Sequence, residues 1–377
     1  IKKKRISIKF KLLLIFGPLI ALSILVLGVL AFVIAKKAVS EKVEIHLKDK
    51  AEDTAEVING RVSSFFQFME GLSRTPILRD EDASMDEKIM YLKDEAHQNS
   101  SLNAIAIVDL NGNFYHSKVR GINISSEEWF RVAAKGEKFV TDVDQSLISD
   151  ELVITFAVPV KDEKNRVIFV LGAVVSAEWL TDAIKDIVVG TSGYSYVLSH
   201  TGNVLAHKDF NNVKNKLNLI EEGKKNQSFA SLSAFVNIAI NQDATGVGFY
   251  DFAGRTFIAA FSNIGTTGRT VVIQAPMDEF MGTIETLQYS MLGIGVIVLA
   301  VSLVIVYLVA YGMVKPIKTT VDALQGIAMG DGDLTVRLAI TGNDEMTDLS
   351  LYFNETIAKI GSSISAVEEN ARTMEGI

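Results

Sequence analysis

The sequence predicts an α/β membrane protein in which a long helix and two tandem α/β modules lie between two membrane-spanning helices. Residues 12–35 and 286–314 contain no charged side chain. At about 1.5 Å of helix per residue, each run can cross a hydrocarbon layer of about 30 Å. Two strand–turn–strand stretches, each with a glycine in its turn, predict the two modules.

The first apolar run has two other interpretations. A buried helix of a soluble protein is rarely so long without a charged residue. The basic leader, residues 1–11, is typical of a signal peptide, but the apolar part of a signal peptide is usually only about 7–15 residues long. We therefore interpret residues 12–35 and 289–312 as membrane helices that are retained in the protein.

Basic side chains predict which ends face the cytoplasm, because Lys and Arg are retained on that side. Six of them precede the first span: Lys2, Lys3, Lys4, Arg5, Lys9 and Lys11. Lys315 and Lys318 follow the second span. We expect a multi-pass protein of the cell inner membrane with both ends cytoplasmic and with residues 36–288 periplasmic or extracellular.

The composition excludes some classes of function. The formal net charge is −8, so the chain offers no basic surface for nucleic acid. It contains no cysteine, which excludes disulfides and thiolate chemistry. The first residue is Ile1, and we expect the chain to be a piece of a longer protein.

A long amphipathic helix is predicted after the first membrane span. Apolar residues recur there at spacings near three and four, with charged residues between them. They are Val39, Val43, Leu47, Thr54, Ile58, Val62, Phe65, Met69 and Leu72. Pro76 is expected to end the helix. The apolar face predicts either a stalk that pairs with a second chain or a helix packed on its own domain.

The two modules are predicted from a repeated pattern. "IAIVDLNGNFYHS" around Gly112 and "YVLSHTGNVLAHK" around Gly202 each have a glycine where a hairpin turn requires positive φ. Each stretch is followed by an insert and then by another apolar hairpin. We expect two α/β modules, at about residues 77–185 and 186–280, each with a sheet of four to six strands.

Coiled-coil spacing returns after the second membrane span, and Pro316 is expected at the start of this helix. Its seam is Ile317, Val321, Leu324 and Ala328. A connector then alternates apolar and polar residues, so that four side chains are expected in one groove: Leu334, Val336, Leu338 and Ile340. A second seam follows at Met346, Leu349, Phe353, Ile357, Ile360, Ile364 and Val367. Two consecutive spacings of four form a stutter, which locally unwinds a coiled coil.

These features together resemble a known family. The order of the predicted elements resembles a double Cache sensor domain with PAS-like modules. The elements are, in sequence, the long helix, the "DLNGN" turn, the "EEWFRVAAKG" helix, the "LVITFAVPV" strand and the "GYSYVLSHTGNVLAHKD" hairpin. Residues 313–366 resemble a HAMP linker, which forms a parallel four-helix coiled coil in a dimer. The whole chain resembles the front of a bacterial methyl-accepting chemotaxis protein, truncated before the signalling domain.

The resemblance implies a transmembrane chemoreceptor that acts as a homodimer. A signal would pass through the second membrane helix and the HAMP linker into the signalling helix that begins at residues 367–377. A histidine kinase and an adaptor protein would be contacted by the output domain. HAMP linkers also resemble those of membrane histidine kinases and cyclases, so the sensor part of such a protein is the alternative.

The sequence does not predict an enzyme. Residues 109–120 begin like a calcium loop, but Phe114 occupies the position that requires Gly, and Arg120 that of the bidentate Glu. The five histidines are not spaced as metal ligands, and no P-loop, nucleophile elbow or zinc signature occurs. We expect no catalytic residue, metal or cofactor. A non-signalling membrane-anchored binding protein is a second alternative, but it would not need the stutter and connector.

The resemblance implies a ligand pocket in the membrane-distal module. Amino-acid-sensing members carry Arg-x-Trp-Tyr on the helix, then a Tyr and later an Asp. Here Glu127 occupies the Arg position, Trp129 is kept and Phe130 replaces Tyr, while Asp144 aligns with the later Tyr and Val174 or Ser176 with the Asp. Tyr115 and Ser117 are expected on one face of a strand and are further candidates. Core packing is the other interpretation of Trp129 and Phe130.

The exchange of Arg for Glu127 beside an aromatic residue predicts a small cationic or amine-bearing ligand, because a cation is attracted to an aromatic face. Glu127 or Asp144 would supply the opposite charge. Three alternatives stay open: an organic acid held by Arg131 or Lys118, a ligand brought by a binding protein, and no small ligand. Ser125 and Glu128 have the spacing of a capping box, which gives Glu128 a structural role.

Overall fold

The computed structural model describes residues 6–265, 267–329 and 333–375. It divides into two units, Lys36–Ile284 and the described parts of Ile1–Ala35 with Glu285–Ile377. The basic residues Lys2 to Arg5 lie outside the described residues, as do three of the four residues of "GDGD" (residues 330–333), where the sequence predicts a turn.

Helix α1 (Ile8–Ser73) begins with the first apolar run, and its hydrophobic residues there are mostly exposed. From Leu47 to Leu72, one face of the helix is buried against the two modules of the same chain. The predicted apolar face therefore packs on its own domain and is not free to pair with a second chain. The helix ends at Ser73, and Pro76 begins the next helix.

The first module follows α1 and is built on one antiparallel sheet. Its helices are α2 (Pro76–Arg79), α3 (Met85–Gln98), α4 (Glu128–Ala134) and α5 (Glu178–Ile184). Its strands are β1 (Ala104–Asp109), β2 (Asn113–Tyr115), β3 (Arg120–Asn123), β4 (Phe139–Val140), β5 (Asp144–Gln145), β6 (Leu152–Lys161) and β7 (Val167–Ser176). The strand order is β3-β2-β1-β7-β6-β4, and β5 also pairs with β6. Within the described residues this makes seven strands, one more than predicted, because the edge beside β6 is formed by two short strands.

The second module repeats the plan with a smaller sheet. Its strands are β8 (Tyr194–Leu198), β9 (Val204–His207), β10 (Gly246–Phe252), β11 (Arg255–Ile264) and β12 (Arg269–Pro276). Between β9 and β10 lie α6 (Asn211–Lys214), α7 (Leu219–Lys225), a 3-10 turn at Gln227–Phe229 and α8 (Ala230–Asn241). The order β10-β11-β12-β8-β9 is antiparallel throughout, as predicted.

Both predicted hairpins are present. Gly112 has φ of 83° between β1 and β2, and Gly202 has φ of 86° between β8 and β9. A Cβ at residue 112 would lie 2.7 Å from the backbone nitrogen of Ser125. Glycine is therefore required at residue 112 both for the backbone conformation and for the close approach of the chain.

The two modules share one large hydrophobic cluster. It joins α1 and the first sheet to residues of the second sheet, namely Val197, Leu205, Ala206, Ile264 and Val271. Burial of this much apolar surface holds the modules against each other. Contacts between them are therefore part of one folded unit.

Helix α9 (Asp278–Met329) and helix α10 (Glu345–Glu375) complete the chain. By length and composition, α1 and α9 each contain a stretch able to cross a membrane. Pro316 lies inside α9, so the prediction that a new helix begins there is wrong. Pro316 lacks the N–H that would bond to the carbonyl of Gly312, and the helix continues past it.

The region that resembles a HAMP linker forms a small hydrophobic cluster within one chain. Leu338, Phe353 and Ile357 are buried and contact three partly buried residues: Ala323, Ile327 and Leu334. Of the four connector residues predicted to lie in one groove, Leu334 and Leu338 face this cluster, whereas Val336 and Ile340 are exposed within one chain. The connector turns at Leu334 and Thr335, which breaks the two-residue alternation.

One side chain fixes the connector to α10. Asn354 Oδ1 accepts a hydrogen bond from the Leu338 N–H at 2.8 Å, and Asn354 Nδ2 donates to the Leu338 carbonyl at 2.9 Å. Both backbone groups of Leu338 are thereby satisfied. The connector is held by these polar contacts as well as by apolar packing.

Candidate ligand-binding site

A cavity of about 530 Å³ lies against the first sheet, and residues of both modules line it. The first module contributes Glu127, Glu128, Trp129, Val153, Thr155, Gly172, Val174 and all of residues 139–145. The second module contributes His200, Asn203, Lys216, Thr267 and Arg269, among others. The volume is typical of small-molecule sites, and about half of the lining residues are polar or charged.

Helix α4 carries the two aromatic residues that the sequence predicted for the site. Trp129 is 6% exposed and lines the cavity. Phe130 is 4% exposed, is not a lining residue, and belongs to the hydrophobic cluster formed with Ala106, Val108 and Ala133. The core interpretation therefore describes Phe130, whereas Trp129 contributes to both core and cavity.

The start of α4 differs from the prediction. Glu127 is the N-cap residue, and no side chain caps the helix. The predicted Ser125–Glu128 capping box is wrong, because the Ser125 hydroxyl donates instead to Asn123 Oδ1 at 2.7 Å. Glu127 and Glu128 are exposed and both line the cavity. Neither carboxylate has an ion pair or a side-chain hydrogen bond within the part of the chain that the structure describes.

Residues 139–145, here called the wall segment, form one side of the cavity. Strands β4 and β5 pair with β6, and the three residues between them, 141–143, are not part of a strand. Thr141 N donates to the Thr155 carbonyl at 3.0 Å, and Thr155 N donates to Thr141 Oγ1 at 2.9 Å. Val143 packs against the main hydrophobic clusters of both modules. The segment is therefore tied to the first sheet and also contacts the second module.

Arg269 of the second module reaches the wall segment. Its Nε lies 3.2 Å from Asp142 Oδ1, and its Nη2 donates to the carbonyls of Val140, at 3.4 Å, and Thr141. The Arg269 side chain is only 6% exposed, whereas that of Asp142 is 36% exposed. Burial lowers the pKa of Arg269, and the neighbouring Asp142 carboxylate opposes that shift.

A second ion pair joins the modules at the same wall. Lys216 Nζ lies 2.8 Å from Asp144 Oδ1. The hydrogen bond from Lys216 lowers the pKa of the Asp144 carboxyl. Both side chains are more than half exposed, so this pair contributes little to stability. Asp144, which the sequence predicted for the site, thus lines the cavity with its charge already matched.

Tyr115 and Ser117 do not line the cavity. Strand β2 ends at Tyr115 after a register shift at Phe114, and Ser117 lies in a bend beyond it. The prediction that the two residues share a strand face is therefore wrong. The Tyr115 hydroxyl lies 3.2 Å from Asp109 Oδ2, a contact that stabilises the "DLNGN" turn.

The basic residues considered as carboxylate anchors are also outside the lining. Arg131 and Lys118 are exposed residues of the first module that do not contribute to the cavity. Arg120, a third basic residue of the same module, also lies outside the lining and is paired with Asp86 at 2.5 Å. Of the two residues aligned with the family's later Asp, Val174 lines the cavity and Ser176 does not. Within the described residues, no three His, Cys, Asp or Glu side chains are placed to hold a metal ion.

The two cations that do line the cavity were missed by the sequence reasoning. Lys216 and Arg269 lie in the second module, so no local motif connects them with α4. The only sequence signal is a single charged residue at the start of the otherwise uncharged stretch "RTVVIQAP". A charge at the end of a buried strand is unusual unless it is paired.

Two domain models match the chain. A Cache domain model, dCache_1, matches residues 34–284, and a HAMP domain model matches residues 308–361. The first match covers more than half of the chain and coincides with the unit that holds both modules.

Curated relatives carry the same type of name. The chain is 26% identical over 253 residues to methyl-accepting chemotaxis protein PctB of Pseudomonas aeruginosa, covering 66% of this chain and 38% of that protein. It is 24% identical over 381 residues to methyl-accepting chemotaxis protein McpA of Bacillus subtilis, covering 97% of this chain and 53% of that protein. The chain thus spans about half or less of the length of these relatives.

Solved structures share the fold of the two modules. The ligand-binding domain of PctB in complex with L-Arg has a TM-score of 0.51 and 19% identity, covering 63% of this chain and 97% of that one. The ligand-binding domain of Pseudomonas fluorescens chemoreceptor CtaA in complex with L-isoleucine has a TM-score of 0.53 and 18% identity, covering 66% and 98%. Given the match of the domain model over residues 34–284, the chain belongs to the double Cache family and carries a HAMP domain after its second apolar helix.

Proposed function

We propose that this chain is the sensing and membrane-coupling part of a bacterial chemoreceptor. The combination of a Cache domain, an apolar helix and a HAMP domain supports this role. The names of the curated relatives favour a chemotaxis output over a histidine kinase or a cyclase. The resemblance to chemotaxis proteins favours a homodimer whose output domain contacts a histidine kinase and an adaptor protein.

The proposed topology places the Cache domain outside the inner membrane, in the periplasm or the extracellular space. Both apolar helices are long enough to cross a bilayer. Lys9 and Lys11 before the first run, and Lys315 and Lys318 after the second, favour cytoplasmic ends. A ligand bound outside would then influence the HAMP domain through α9.

The proposed ligand is a small amine-bearing molecule. Carboxylates outnumber cations four to two among the residues that line the cavity. Both cations already have carboxylate partners, Arg269 with Asp142 and Lys216 with Asp144. The single observation that carries this proposal is the remaining pair of carboxylates, Glu127 and Glu128, next to Trp129 at the cavity. A ligand amine gains from these charges and from the aromatic ring.

The chemistry of the solved relatives agrees with this ligand class. Their structures hold L-Arg and L-isoleucine, and both molecules carry an amine. A ligand with a carboxylate and no amine would face the unpaired Glu127 and Glu128 at short range, where like charges repel. An amine is therefore the required group, and a carboxylate is tolerated only at a distance from these residues.

Tryptophan fluorescence of the full chain in lipid nanodiscs tests the proposal. The chain has two tryptophans, so Trp179→Phe leaves Trp129 as the only one. We expect L-arginine and agmatine to change the emission of Trp129 saturably and glutarate, which has no amine, to have no effect. Glu127→Gln together with Glu128→Gln should weaken agmatine binding roughly tenfold, the usual effect of losing a charged hydrogen bond.

The matched control is Glu137→Gln, which removes an exposed carboxylate just after α4 that does not line the cavity. It should leave the affinity for agmatine unchanged. Tight binding of glutarate, or agmatine binding that is unchanged in the Glu127/Glu128 double variant, would contradict the proposed ligand chemistry.

A further inference from the structure

The wall segment has two roles at once. All seven of its residues line the cavity. The same segment receives the Arg269 side chain, which bonds to Asp142 and to the carbonyls of Val140 and Thr141. Any ligand that pairs with Asp142 therefore changes a contact on which the second module depends.

Arg269 has a direct covalent route to the helix that contains the second apolar run. It is the first residue of β12, which ends at Pro276, and α9 begins at Asp278. Strand β12 is paired on both sides, with β11 and with β8. A strand held in this way moves as a rigid element, so a change at Arg269 is carried towards the start of α9.

The charges in this contact are unequally buried. Arg269 is 5% exposed, whereas Asp142 lies at the cavity with its side chain 36% exposed. A buried guanidinium needs its counter-charge, because an unpaired buried charge is costly. Asp142 can exchange this partner for a ligand amine, but Arg269 cannot exchange Asp142 for water without leaving its buried position.

We propose that Arg269 is a latch that competes with the ligand amine for Asp142 and reports occupancy of the cavity to β12 and α9. The inference rests on the proposed amine-bearing ligand. When the amine, attracted to the cavity by Glu127 and Glu128, also pairs with Asp142, Arg269 loses its counter-charge and its hold on the wall segment weakens. By reciprocity of coupled equilibria, weakening the latch by mutation strengthens binding of the amine. Mutation of a residue with only a structural role would give the opposite result, namely weaker binding of the amine.

Hydrogen exchange of the ligand-free full chain in nanodiscs tests whether the latch holds the wall. Arg269→Met keeps most of the side-chain volume and removes the buried charge, leaving the partly exposed Asp142 to be solvated. Exchange of backbone amides in residues 139–145 should accelerate about fivefold or more, the change expected for losing about one hydrogen-bonded contact. Arg166→Met is the matched control, because Arg166 pairs with Asp162 and does not line the cavity. Unchanged exchange in Arg269→Met overturns the latch.

Agmatine titration, read by Trp129 fluorescence, tests the competition. We expect Arg269→Met to bind agmatine at least about fivefold more tightly than the wild-type chain, at the lower end of usual coupling strengths. Lys216→Met removes the same charge from an exposed pair and should have a smaller effect. Equal gains in both variants would show a general charge effect and overturn the latch, as would unchanged or weaker binding in Arg269→Met.

The change in hydrogen exchange that agmatine causes in residues 269–282 tests whether occupancy of the cavity is transmitted to β12 and the start of α9. Agmatine should change exchange there in the wild-type chain and not in Arg269→Met, although both bind it. If Arg269→Met does not fold, Arg269→Lys is the second variant. It keeps the positive charge but lacks the several N–H donors of the planar guanidinium, so it should show the changes expected for Arg269→Met in hydrogen exchange and in agmatine affinity, but smaller. A wild-type chain that binds no amine contradicts the proposed ligand, and the ligand-free exchange then still supports or overturns the latch by itself.

Discussion

The indole ring of Trp129 lies directly against Gly172, where an added Cβ would be 3.2 Å from the ring atoms Cη2 and Cζ3. Gly172 is in the middle of β7 and pairs with Ala106 of β1 and Ala157 of β6. These three small residues form a shallow strip across the sheet beneath the ring. The strip lets Trp129 lie close to the sheet and leaves the space above it as cavity.

Replacing Gly172 by valine should therefore reduce the cavity. A branched side chain at this position meets the indole ring and displaces it, since close-packed neighbours cannot absorb an added isopropyl group. We expect agmatine affinity to fall at least tenfold and stability to fall by about 1–3 kcal/mol. Binding is measured by titration calorimetry and stability by thermal unfolding of the full chain in nanodiscs.

Gly71→Ala is the control for glycine replacement itself. Gly71 lies in α1, and no atom is within 4 Å of an added Cβ. Alanine there should preserve binding and stabilise the helix by up to about 1 kcal/mol. Wild-type affinity in Gly172→Val would mean that Trp129 does not shape the ligand site.

The parts of the fold that could be predicted from sequence have local signals. The two hairpins follow from glycine at Gly112 and Gly202, and the two long apolar helices follow from the absence of charge over residues 12–35 and 286–314. Trp129, Glu127 and Asp144 could be placed near one pocket because a family pattern aligns with them. Their roles in binding stay predictions.

The parts that could not be predicted depend on contacts distant in sequence. Arg269 and Asp142 are 127 residues apart, and their pairing depends on how the modules pack. Tyr115 and Ser117 were misassigned because the strand ends earlier than its alternation indicates. Ser125 has the spacing of a capping residue, but Asn123 two residues earlier competes for its hydroxyl.

A second prediction concerns pH and His207. Burial lowers the pKa of His207, and its Nδ1 accepts hydrogen bonds from Asp209 N at 2.9 Å and Asn212 Nδ2 at 3.0 Å. The folded state therefore favours the neutral ring, while in the unfolded chain the ring has its ordinary pKa near 6.5. This stabilisation is fully present above pH 6.5 and is lost as the pH falls through the lowered folded pKa.

Thermal unfolding between pH 7.5 and pH 5 measures this effect. The melting temperature of the wild-type chain should fall on acidification, and His207→Gln should reduce the fall while lowering stability at pH 7.5. His97→Gln changes an exposed ring and serves as the control. An identical pH dependence in His207→Gln and the wild type would contradict the neutral state of the half-buried His207 ring.

A third prediction concerns Asn354 and the HAMP connector. Asn354→Ala removes both hydrogen bonds to Leu338, each of which contributes about 0.5–1.5 kcal/mol. Amide exchange in residues 333–344 should accelerate accordingly. Asn354→Asp keeps the acceptor for the Leu338 N–H and should give a smaller effect, and Glu355→Ala, an exposed neighbour, should give none. Connector exchange that does not respond to Asn354→Ala would show that apolar packing alone holds it.

The last prediction concerns the surface that the HAMP region leaves uncovered. Ala323 and Ile327 pack against the cluster of the same chain, but Val321 and Leu324 on the adjacent stripe of α9 are 53% and 50% exposed. Exposed apolar residues at coiled-coil spacing are expected to be covered by a second parallel copy of the chain.

The chain has no cysteine, so Leu324→Cys introduces a single thiol. In a parallel dimer the two Leu324 positions are symmetry-related and close enough to bridge, so oxidation in nanodiscs holding two chains should give a covalent dimer. Lys359→Cys, on an exposed face of α10, should crosslink far less. Equal crosslinking at both positions would mean that the Val321 and Leu324 stripe is not the dimer seam.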